Sequence, residues 1–210
     1  MRIMHIIGLA AASCLLLAAC QSNSYKIEGC GDNLNDGDTV FISKYTSPQH
    51  YLDTAIVHDG KFVFKGHIDS MQICVIGDKN KTSNSLHFIL EPGRIKIQIS
   101  NNPFNVSIGG TVNNNKWQSL TNEALPIGVK IMNLSTLVDR GHLSHEYNRE
   151  LIDSIKVLNN SFSNIVERYV NENIDNEFGY ILLKYYNKFF DKARLDRIHK
   201  RYASTHSKEK

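Results

Sequence analysis

The stretch AIVHDGKFVFKGHID, residues 55–69, constrains this chain more than any other. Asp-Gly between two alternating apolar–polar runs is the strongest short-range signal for a two-residue turn. Both central positions of a type I′ turn need positive φ, and its twist matches the flanking strands. A hairpin on Asp59-Gly60 sets His58 against Lys61, Val57 against Phe62, Ile56 against Val63 and Ala55 against Phe64. Ala55, Val57, Phe62 and Phe64 then share the core face, while Thr54, His58, Lys61 and Lys65 look outward. Residues 86–100, LHFILEPGRIKIQIS, repeat the pattern about Pro92-Gly93: Leu90 opposes Ile95, Phe88 opposes Ile97, Leu86 opposes Ile99, and Glu91 meets Arg94. Pro-Gly prefers a type II turn, which splays a tight hairpin, so this loop is expected to be a residue or two longer.

Three further runs, 25–29, 39–44 and 71–76, with an eighth at 105–109, complete a set of seven to eight short strands. Antiparallel strands at this spacing predict a β-sandwich or a partly open barrel. After Gly110 the period changes. Leu151, Ile155, Leu158, Phe162, Ile165 and Tyr169 recur every three or four residues, the mark of an amphipathic helix. A shorter helix is expected over 117–139, bent at Pro126, and another over 177–190. The fold class is therefore α+β: a sandwich domain over 25–112, a helical region over 113–203 and a basic tail over 204–210.

The N-terminus resembles a bacterial lipoprotein signal. Residues 1–19 carry one basic residue, Arg2, then an apolar run too short to span a bilayer, ending in Leu17-Ala18-Ala19-Cys20. Small residues before a cysteine admit the lipoprotein signal peptidase, and the resemblance makes Cys20 a diacylglycerol-bearing N-terminus followed by a tether over 20–24. Two or three acyl chains hold a protein stably where one holds it marginally. Gln21 in place of an aspartate favours the outer membrane, with the chain facing the periplasm.

The formal net charge of +3 includes Arg2 and carries no nucleic-acid signature. The segment 192–210 is locally basic, with Arg194, Arg197, Lys200 and Arg201, and reads as a solvated face rather than an anchor for acidic lipid headgroups.

The segments YKIEGCGDNLNDGDTVFIS, LDTAIVHDGKFVFKGHI, FILEPGRIKI and IGGTVNNNKW occur in that order between Tyr25 and Trp117. Together they resemble the domain of unknown function 4369. The resemblance implies the N-terminal module of lipid-anchored, thioredoxin-like thiol:disulfide oxidoreductases of Gram-negative envelopes, in which helices lead on to a Trp-Cys-x-x-Cys domain. These 210 residues hold no Cys-x-x-Cys. Exchange chemistry needs an attacking thiolate with a resolving thiol close by. Beyond Cys20 the mature cysteines are Cys30 and Cys74, on separate expected strands. They are either a structural disulfide or two buried thiols.

Other constellations are thin. Asp32, Asp36 and Asp38 suggest a calcium loop, but Leu34 and Ser43 occupy ligand positions, so the segment reads as a hairpin loop. His142 and His145, beside Glu146, have helical spacing without a third ligand. Tyr180, Tyr185, Tyr186, Phe189 and Phe190 either line a ligand groove or fill core. No catalytic, cofactor-binding or metal residue is expected. The expected function is a lipid-anchored, non-catalytic binding or scaffold module in the cell envelope, bound to the membrane through Cys20 and to an unidentified protein. The alternative is an accessory to a separate thioredoxin-like oxidoreductase. Replacing Cys20→Ala is expected to release the protein from the membrane or leave the precursor uncleaved, as read by fractionation and gel mobility. Unchanged partition into the detergent phase would exclude acylation at this position.

Overall fold

The computed structural model describes residues 23–32, 34–78, 81–141 and 144–206, without the side chains of 81–84. The expected signal peptide, Cys20 and His142 lie outside the described residues. Eight strands precede four helices: β1 (Ser24–Gly31), β2 (Thr39–Lys44), β3 (Ser47–Ile56), β4 (Lys61–His67), β5 (Gln72–Asp78), β6 (Lys81–Leu90), β7 (Gly93–Ile99), β8 (Ser107–Gly109), α1 (Val112–Asp139), α2 (His145–Glu172), α3 (Glu177–Tyr186) and α4 (Lys192–His206). The strands form two four-stranded sheets, β4-β1-β7-β8 and β3-β2-β5-β6. They do not close into a barrel.

Both expected hairpins are instead arches between the sheets. Asp59 and Gly60 have the positive φ the turn requires, 50° and 66°. His58 and Lys61 exchange two backbone hydrogen bonds, of 2.9 and 3.0 Å. The pairing stops there because the next residue is taken. Val57 N–H donates to Asp38 C=O at 2.9 Å, and Val57 C=O accepts from Gly37 N–H at 3.0 Å. Val57 therefore never pairs with Phe62, and the strands part: β3 joins β2, while β4 joins β1. At Pro92-Gly93 the same happens, with Leu90 pairing Gln72 and Ile95 pairing Ile27. The Asp32–Asp38 segment, expected to close a hairpin, likewise links β1 to β2 across the two sheets.

The inward and outward faces nevertheless agree with the alternation. Val57, Phe62, Phe64, Phe88, Leu90, Ile95 and Ile97 are buried, and Thr54, His58, Lys61 and Lys65 are exposed. An arch and a hairpin bury the same face, since period-2 alternation dictates which side chains leave water and not which strand accepts their hydrogen bonds. Arrival from the opposite sheet also leaves β7 free to run parallel to β1, a departure from an all-antiparallel sandwich. Gly29 faces Phe62 across β1 and β4, and a Cβ there would lie 1.9 Å from the ring. The aromatic ring covers the gap that the missing side chain leaves.

Helix α1 begins at Val112, earlier than its pattern suggests, and runs through Pro126. At 28 residues it matches α2 in length rather than being the shorter. Its N-cap, Thr111, makes no side-chain cap bond; Glu91 from the β6–β7 arch does this work. Glu91 Oε1 accepts from the backbone N–H groups of Asn113 and Asn114 at 3.2 and 3.3 Å, and Oε2 accepts from Asn113 Nδ2 at 2.7 Å. A carboxylate at a helix N-terminus meets orphan donors and the positive end of the helix dipole. Glu91 is thus buried against α1 and does not meet Arg94, which lies 3.6 Å from Glu28 instead.

Asn114, fully buried, clamps the edge of β6: its Oδ1 accepts from Ile89 N–H at 3.0 Å and its Nδ2 donates to Ile89 C=O at 2.7 Å. The boundary expected between 112 and 113 falls inside this first helical turn, and a single hydrophobic core runs from Ile27 through Trp117 to Leu182 and Ile198. On α2, Leu151 and Tyr169 are buried while Ile155, Leu158, Phe162 and Ile165 are half-buried. Arg194, expected in a solvated face, is buried against α2, with 2.8 Å bonds to Asn160 and Asn164 and a 3.1 Å pair with Glu167. Helix α4 continues to His206, past the expected start of the tail.

Replacing Asn114→Ala strands two buried backbone groups of Ile89, at about 1–3 kcal/mol for each group left unsatisfied. Urea unfolding is expected to show a loss of a few kcal/mol in the sheet and helix signals together; loss from the helices alone would mean the two layers fold independently.

Candidate functional site

The described surface opens into a cleft of about 510 Å³ where the second sheet meets α3. Tyr45 stands at one wall just beyond β2, fixed by its N–H donating to Ile73 C=O at 3.1 Å. Met71 and Ile73 form the floor, and Tyr180, Ile181 and Tyr185 form the α3 wall. These α3 residues reach the sheet because Asn176 caps the helix, its Oδ1 accepting from Gly179 N–H at 3.2 Å. Lys44, Lys184 and Glu177 supply charge at the rim.

Tyr185 anchors the back of the cleft. Its ring packs at 4.8 Å from Tyr45, 5.2 Å from Trp117 and 4.7 Å from Tyr186. Its hydroxyl hydrogen-bonds His87 Nδ1 on β6. Burial lowers the His87 pKa below 6.5, and burial followed by the neighbouring Tyr186 and Tyr45 raises that of Tyr185 above 10. Both groups are therefore neutral near pH 7, and a single shared proton joins the phenol oxygen to Nδ1. Such a pair orients the cleft wall. Among the described residues it has neither the carboxylate that would hold the imidazole as a general base nor a nucleophile for that base to activate. The aromatic group of the sequence divides accordingly. Tyr180 and Tyr185 line the cleft, Phe190 is core, and Phe189 packs on Phe162 at 5.0 Å. Pattern reading missed Tyr45, Met71, Ile73, His87 and Trp117. The one available signal was His87, a titratable residue between Leu86 and the apolar run 88–90.

The remaining expected residues serve elsewhere. Asp36 Oδ1 accepts from Asp59 N–H at 2.7 Å and Asp38 Oδ2 from Asn35 N–H at 2.9 Å, so both carboxylates tie loops. Among the described residues no group of three or more His, Cys, Asp or Glu gathers for a metal; His145 starts α2. The disulfide weighed for Cys30 and Cys74 is not formed, and both thiols are free. Cys30 is exposed on β1 of one sheet while Cys74 points into the core from β5 of the other, so the core lies between them. Burial pushes the Cys74 thiol up to about 12, leaving it protonated at neutral pH.

His87 gives the fold a pH dependence of known sign. The unfolded chain takes up its proton near 6.5, while the folded chain does so only at lower pH. Between those values the unfolded state binds more protons, so stability rises with pH through this window and is lost as pH falls below about 6.5. His87→Gln is expected to flatten unfolding free energy against pH there; an unchanged slope would assign the titration to another group.

No curated protein matches the chain. Residues 25–117, from the first buried tyrosine of β1 to the tryptophan of α1 that packs on Tyr185, match the model of the Domain of unknown function (DUF4369); the two-sheet unit of this chain, with the helix start clamped to it, is similar to that family.

Proposed function

We propose that this chain is a membrane-tethered, non-catalytic binding module of the cell envelope. Cys20 carries diacylglycerol, the outer membrane holds the anchor, and the folded part projects into the periplasm, where the cleft takes an apolar side chain from an extended segment of a partner protein. The carrying observation is the make-up of the cleft. Aromatic and aliphatic side chains form its walls, charge is confined to the rim, and the half-buried Tyr185–His87 pair behind it is neutral near pH 7. Recognition sites have this apolar body with a few orienting polar groups. No helix among the described residues is long and apolar enough to cross a membrane.

A second reading, an accessory to a separate thioredoxin-like protein, draws on the exposed thiol of Cys30, which a partner's reactive cysteine could reach. The two readings differ in the surface they use. A photo-crosslinking residue in place of Tyr180, half exposed at the cleft, is expected to give a discrete adduct in intact envelopes, and the same probe at Val157, exposed on α2, none. An adduct absent at Tyr180, with a mixed disulfide trapped at Cys30, would reverse the preference.

A further inference from the structure

We propose that the outer face of the β4-β1-β7-β8 sheet lies against the anionic headgroups of the membrane in which Cys20 is anchored. The inference rests on the lipoprotein reading and adds to it the orientation of the fold. Alternation turns Lys26 of β1, Lys61 and Lys65 of β4, and Arg94 and Lys96 of β7 away from the core onto one face. Glu28 is the one acidic residue in the four strands of this sheet. The register sets Lys65, Lys26 and Arg94 side by side on three adjacent strands, Lys26 being the Cα partner of both others. Like charges directly opposite destabilise a sheet. Glu28, bonded to Lys26 and 3.6 Å from Arg94, offsets part of this row and leaves it positive. A concavity of about 500 Å³ lies among Ser24, Lys26, Lys65, His67 and Arg94, room for a phosphate headgroup. The Tyr25 ring lies across Gly66, where a Cβ would stand 2.6 Å from the phenol oxygen.

Position decides the occupant. Asn23, the first described residue, is fixed at this end of the sheet, its C=O accepting from Ile68 N–H at 2.8 Å. Three residues of fully extended chain, the distance from Cys20 to Asn23, reach about 11 Å. An acylated Cys20 therefore holds the cationic row close to the lipid surface, whatever path the tether takes. Each Lys or Arg kept near an anionic leaflet strengthens attachment roughly fivefold, an effect that fades beyond a screening length.

Cys30 supplies the reporter, since it is exposed on this same face while Cys74 is buried. The full mature lipidated protein, labelled at Cys30 with a maleimide fluorophore, is bound to vesicles carrying a headgroup-linked quencher. One set is phosphatidylcholine, the other phosphatidylcholine with phosphatidylglycerol. Quenching is expected to be stronger on the anionic set and to revert at about 1 M salt, where the screening length falls to about 3 Å. It is expected to be lost in the Lys65→Glu, Arg94→Glu variant, with thermal unfolding unchanged. Equal, salt-insensitive quenching on both sets, or quenching retained by the variant, overturns the proposal. Flotation with neutral vesicles reads the anchor separately: protein that floats but shows no anionic-specific quenching refutes the docked face alone, and protein that does not float refutes both readings. A label that responds to soluble polyglutamate and not to anionic vesicles assigns the face to an acidic polypeptide and overturns the membrane as occupant.

Discussion

The junction of Glu91 and Asn114 with the first turn of α1 is the constraint on which the remaining architecture depends. An edge strand and a helix start both present backbone groups that burial would leave without partners, and each such group costs about 1–3 kcal/mol if stranded. Here they satisfy one another. The Asn114 amide takes the N–H and C=O of Ile89, and the Glu91 carboxylate takes the N–H groups of Asn113 and Asn114. The β6 edge is closed against further strands at this point, and the helix leaves at a set place and angle. Trp117, one turn on, then lies under Tyr185, and the cleft wall is built on that contact.

A second consequence is that the helices are part of the sandwich. One core continues from the sheets into α1, α2, α3 and α4. Glu123 of α1 accepts from Tyr169 Oη at 2.6 Å and pairs with Arg168, so α1 and α2 are held side by side by polar contacts as well as apolar ones. Arg194 repeats the device between α4 and α2, where its guanidinium has two asparagine oxygens and the Glu167 carboxylate for partners. Such a charge is tolerated in the interior because its donors are met.

The two sheets consequently have different outer surfaces. The outer side of the β3-β2-β5-β6 sheet receives α3 through His87 and carries the apolar cleft at its end. The outer side of the other sheet bears cations and a single carboxylate. In the proposed tethered binder, docking through the cationic face would leave the cleft, formed on the other sheet, accessible.

Alternation and turn chemistry were enough to predict seven or eight strands, which of their side chains leave water, and that helices follow them; the order of the family segments was equally legible. What a linear pattern does not contain is which strand accepts a given hydrogen bond. The competition for Val57 between Phe62 and the loop at Gly37 and Asp38 is settled by residues about 20 positions upstream, and it converts a hairpin into an arch. The partners of Glu91 and Arg94, the burial of Arg194 and the separation of Cys30 from Cys74 depend on tertiary placement in the same way. The cleft was the least legible feature, since Tyr45, Met71, His87, Trp117 and Tyr185 come from five separate segments that share no spacing. Local physics dictates the faces of each element; only the packed whole decides which faces meet, because the choice among pairings turns on whether distant polar groups find partners when they are buried.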